Sequence, residues 1–100
     1  MTDPILDMLE RMRLLPTMYI GSLSAQRLFM YLCGYQAALK EHTELDLAAY
    51  REFIEGLYEK YGCGGGGNSW ATVLAQRAGG DAEALHLFFT ELAAYREKNA

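Results

Sequence analysis

Glu52, Glu55 and Glu59 stand three and four residues apart, a spacing that puts three carboxylates on one face of a helix. Carboxylates do general acid–base work when one of them sits in a dry pocket. Nothing around this row supplies that dryness, so it reads as a wet, charged surface. His42 falls in the polar stretch EHTELD and reads as solvated, His86 adjoins an apolar stripe that leaves room for its partial burial, and neither reads as a base. Cys33 and Cys63 read as a buried small residue and a loop thiol. Together with two distant histidines they do not make a zinc ligand set. Ser22, Ser24 and Ser69 are explained as helix caps, and no Ser-His-Asp or Cys-His arrangement is legible. The expectation is a non-enzyme with no catalytic residue, no metal and no cofactor.

The stretch GCGGGGNSW offers glycine-rich backbone ahead of a helix, which can bind anions. A phosphate loop, however, follows a strand and continues into Lys-Ser or Lys-Thr, and neither is present. The glycines read as a flexible tether between two helices. A small nucleotide- or anion-binding protein using this tether remains an alternative.

The elements that must position these groups are helical. Pro4 suits a first turn, with Thr2 or Asp3 as its cap, and Ile5, Leu6, Met8, Leu9 and Met12 recur at helical spacing to about Leu15. Pro16 ends that helix. A second runs from a cap at Ser22 or Ser24 to about Lys40, with Leu28, Phe29, Leu32, Cys33, Tyr35 and Leu39 on a wide apolar face. Gly34 within it is expected to admit a neighbouring helix. Tyr50, Phe53, Ile54, Leu57, Tyr58 and Tyr61 define a third helix, and Trp70, Val73 and Leu74 a short fourth behind Ser69. The fifth is expected to be capped by Asp81 and carries Leu85, Phe88, Phe89, Leu92 and Tyr95. No segment alternates as a strand would. The fold class is all-α, a four- or five-helix bundle in a single helical domain over residues 1–100.

A chain of 100 residues with 51% hydrophobic residues is large enough to bury a core. No apolar run approaches a membrane span and the first residues lack a basic secretory signal, so a cytoplasmic protein with no membrane partner is expected. A formal charge of −4 disfavours nucleic acid, whose phosphates need a basic face. It is compatible with a basic protein partner. From Glu41 to Glu59 the chain carries Glu41, Glu44, Asp46, Glu52, Glu55 and Glu59 against Arg51 alone, which can reach Glu55.

The segment RMRLLPTMYIGS resembles a stretch of the gyrase B-type ATPases, matching at Pro16, Met18, Tyr19, Ile20 and Gly21, with Thr17 and Leu15 departing from it. That family needs a glutamate base and a magnesium-binding asparagine in the helix that follows. LSAQRLFMYLCGYQAAL has neither. What remains is a device in which proline stops a helix, Met-Tyr-Ile plug the core and glycine turns the chain.

Across roughly residues 10–95 the chain also resembles small all-helical bacterial immunity proteins of interbacterial toxin systems. The matching features are Met-Tyr-Ile-Gly, YLCGYQAAL, a Phe-containing helix ending in Tyr-Gly, and NSWATVLAQ. That resemblance implies an immunity protein that binds a cognate secreted toxin and occludes its active site. On this reading Glu41, Glu44, Asp46, Glu52, Glu55 and Glu59 face a basic toxin surface, and exposed Tyr50 and Tyr58 anchor the contact. A homo-oligomeric structural module, such as a homodimer closed by wide apolar faces, is the other alternative.

Overall fold

The computed structural model describes residues 3–42, 47–62 and 69–99, with the backbone alone for Glu41 and His42. Six α-helices lie within them and no strand: α1 (Pro4–Leu14), α2 (Pro16–Ile20), α3 (Ala25–His42), α4 (Ala48–Tyr61), α5 (Trp70–Ala78) and α6 (Asp81–Lys98). The expected five helices are present, and α2 is an addition.

Asp3 shows why the first helix begins where it does. Its Oδ1 accepts from the amides of Ile5 and Leu6 at 2.9 and 3.1 Å, satisfying two orphan donors of α1. Its Oδ2 accepts from Tyr50 N at 3.1 Å, in the first turn of α4. One buried carboxylate thus ties two helix N-termini together. Helix α1 then buries Ile5, Leu6, Met8, Leu9 and Met12.

Pro16 pushes Leu15 out of helical geometry, to φ −144° and ψ 70°, and opens α2 as its first residue. Gly21 closes α2 at φ +83°, where its N–H reaches Thr17 O at 3.0 Å. So short a helix turns one large side chain inward. Ile20 is buried, whereas Met18 is 77% exposed and Tyr19 39%. The expected Met-Tyr-Ile plug is therefore Ile20 alone.

Ser24 caps α3, accepting from Arg27 N at 3.1 Å. Asp81 does not cap its own helix: Gly80 occupies the N-cap position of α6. The Asp81 carboxylate crosses to α3, where it accepts from the Ser24 hydroxyl and from Gln26 N at 3.0 Å. Two further expectations on α3 are corrected. Nothing approaches Gly34 within 4 Å of where a Cβ would stand, and Cys33 is exposed. Cys63 lies outside the described residues, as does most of the glycine tether.

The core converges on Phe88 of α6, which is fully buried. Trp70 stacks on it at 4.5 Å between centroids, while Phe53 and Phe89 meet it edge-on at 5.4 and 5.5 Å. Aromatic pairs in these offset and T-shaped arrangements each add about 0.5–1.5 kcal/mol beyond their buried area. Helices α4, α5 and α6 are joined through one ring. Ser69 caps α5 as expected, accepting from Thr72 N at 3.2 Å.

Candidate functional site

Alternation of buried and exposed positions on α4 sets the site. Phe53 and Leu57 turn inward, which leaves Glu52, Glu55 and Glu59 exposed on the other side. Beside them α6 contributes Glu91, Ala94, Tyr95 and Lys98, and the two helices border a groove of about 810 Å³. Gly56 lines it too, with no heavy atom within 4 Å of a notional Cβ, so the groove is open along that part of α4.

Apart from Lys98, the charges in this groove divide into two groups. Glu91 is spent internally: Lys60 Nζ lies 2.7 Å from its Oε1, and the Tyr61 hydroxyl donates to the same oxygen at 2.9 Å. The hydrogen bond and the charge of Glu91 raise the Lys60 ammonium above its ordinary range. Desolvation first, then the bond to Glu91, raises the Tyr61 phenol. Glu52, Glu55 and Glu59 make no ion pair among the described residues, and the expected pairing of Arg51 with Glu55 does not form there. Burial and the nearby Glu52 carboxylate raise the Tyr95 phenol, which donates to Ala49 O at 3.3 Å. This groove can attract cations and donors.

Of the eight residues named from sequence, the structure gathers Glu52, Glu55, Glu59 and Tyr58 around one groove. Glu44 and Asp46 lie outside the described residues, and Glu41 is placed in α3 by its backbone alone. Tyr50 is corrected. It is 5% exposed, and its phenol is held well above the ordinary range by burial, with Cys33, Tyr58 and Asp3 adding to the effect. It belongs to the interior and cannot anchor a partner. Tyr58 is half-buried, and its hydroxyl accepts from Trp70 N at 3.2 Å, at the start of α5.

Lys60, Glu91 and Lys98 escaped sequence reading because their meeting depends on how α4 lies against α6. His86 is corrected: it is exposed on α6 and takes no part in the apolar stripe beside it. Among the described residues no group of His, Cys, Asp and Glu is arranged to hold a metal ion, and no helix is long and apolar enough to cross a membrane.

Compared with protein-family models, curated proteins and solved structures, the chain matches none.

Proposed function

We propose that this chain is an immunity-type protein, a binder that neutralises a cognate secreted toxin by covering its active site. The observation that carries this reading is the α4/α6 groove, where Glu52, Glu55 and Glu59 face solvent with no ion pair among the described residues. Three like charges on neighbouring helical positions repel one another. A basic partner surface would relieve that repulsion and be steered toward it at a distance. The resemblance of the chain to helical immunity proteins supplies the partner class. Gly56 and the exposed faces of α4 and α6 supply the concavity, and a lysine or arginine of the toxin would enter beside Gly56.

The test is to read the open reading frame beside the gene for a toxin domain and to measure association with its product by stopped-flow or surface-based kinetics. Reversing the three charges together (Glu52→Lys, Glu55→Lys, Glu59→Lys) is expected to slow association at low salt by about tenfold or more. Dissociation should change less. An unaltered association rate removes the acidic groove from the mechanism, and failure to bind or protect against that neighbouring toxin overturns the functional reading.

A further inference from the structure

We infer that the cleft between α3 and α4 binds a small uncharged aromatic molecule carrying one hydrogen-bond acceptor, of the aryl ketone or aryl amide class. The cleft lies on the α3 side of α4, away from the α6 groove, and does not rest on the toxin-binding reading.

Tyr50 carries the case. It is 5% exposed, yet among the described residues its hydroxyl has no hydrogen-bond partner, and its bond to Asp3 uses the backbone amide. Buried polar groups normally find partners. No side-chain nitrogen or oxygen among the described residues is both sealed from solvent and unpartnered. This hydroxyl therefore meets the space that Tyr50 lines, a cleft of about 250 Å³. Tyr58 borders the same cleft. Its oxygen already accepts from Trp70 N, and its proton goes to no described residue, so what it offers is that proton. Neither hydroxyl bonds to the other or to the exposed Cys33 thiol, which lines the cleft as well.

The walls decide the body of the ligand. Phe29 of α3 and Trp70 of α5 meet edge to face, 5.9 Å between centroids at 75°, and Leu32 and Ile54 add aliphatic surface. Aromatic walls of this kind favour a planar ring, held in offset or T-shaped contact. The volume is that of roughly eight water molecules at about 30 Å³ each, enough for one ring with a short substituent. Arg51 and Glu55 are the charged residues of the cleft, exposed one turn apart on α4, and their signs cancel. The mouth therefore selects no net charge, and an ion drawn inside would lose water without gaining a countercharge. Two phenolic O–H groups facing the substituent make that substituent an acceptor. Burial, which raises the Tyr50 phenol, keeps its proton in place.

The probes are acetophenone and α-methylstyrene, which share a shape and differ in the carbonyl oxygen, with benzoate and benzylammonium as charged counterparts. Trp70, the single tryptophan of the chain, reports through its indole resonance in proton–nitrogen correlation spectra. Acetophenone is expected to shift that resonance saturably, one-to-one, with a Kd of about 1 mM or tighter. The two ions should bind at least about tenfold more weakly. Tyr50→Phe should weaken acetophenone by about three- to tenfold, the effect of one hydrogen bond, and leave α-methylstyrene bound as before. Cys33→Trp, at an exposed position, should fill the cleft and block both. Unchanged melting temperatures at neutral pH confirm that both variants are folded. An absent or unsaturable shift with acetophenone overturns the inference, as does binding that survives Cys33→Trp. So does Tyr50→Phe weakening both neutral probes alike or neither, or either ion binding as tightly as acetophenone.

Discussion

Asp3 accepts three backbone amides with two oxygens, two from α1 and one from α4. An N-cap replaced by alanine costs about 1 kcal/mol, and a buried amide left without a partner about 1–3 kcal/mol more. Asp3→Ala is therefore expected to destabilise the fold by roughly 2–4 kcal/mol in urea unfolding, and Asp3→Asn, which keeps one acceptor, by about half as much. Tyr50, whose amide is one of the three, brings a pH dependence of opposite character to acid unfolding. Its phenol is held neutral by burial, far above the value near 10 of an exposed tyrosine. Above that pH the unfolded chain has lost a proton that the native state keeps, so stability is full below pH 10 and falls as pH rises further. Thermal melts between about pH 8 and pH 11 should show this loss, and Tyr50→Phe should make it shallower. Asp3 was legible in sequence as a cap, but not as a tie to α4. The inward position of Tyr50 was legible, because it opens the apolar stripe of α4; what failed was its use as an exposed anchor at the edge of that stripe.

Helices of nine residues or more were legible because one face of each is consumed by the core, which imprints a period near 3.6 on the chain. Five-residue α2 is too short to carry a period, and the proline that opens it reads equally well as the end of α1. Its apolar residues looked like core because MYI is hydrophobic, yet little more than one turn cannot bury three consecutive side chains. Glycines inside helices mislead in the opposite direction. Gly34 appeared to demand a close neighbour, and it has open space around it. Alanine there gains helix propensity without a clash, so Gly34→Ala should stabilise by about 0.5–1 kcal/mol and raise the melting temperature by a few degrees, about 4–8 °C per kcal/mol for a domain of this size. Gly56→Ala, equally uncrowded, should do the same. Gly56→Trp should instead fill the groove along α4 and weaken capture of the proposed basic partner while leaving the fold intact.

At the scale of the molecule, two kinds of force act on different parts of it. The ion pairs Arg13–Glu10, Lys60–Glu91, Arg96–Asp7 and Arg96–Glu10 sit at the surface, where water and salt screen them. The cohesion comes from the interior, where α4, α5 and α6 share the ring of Phe88. The fold's melting temperature should therefore hold nearly constant as sodium chloride rises, while Phe88→Ala, which removes that shared ring and leaves a cavity, should cost about 3–5 kcal/mol and lower the melting temperature by roughly 12–40 °C. The association proposed for the acidic groove belongs to the other regime. Three exposed carboxylates would act on the proposed partner before contact, across distances comparable with the Debye length of about 10 Å at 0.1 M salt. Its rate should fall steeply over the same salt range that leaves the melting temperature unmoved. Measuring both across one salt series separates the two forces: a melting temperature that dropped together with the association rate would mean that the exposed ion pairs, and not the aromatic centre, hold α4 against α6.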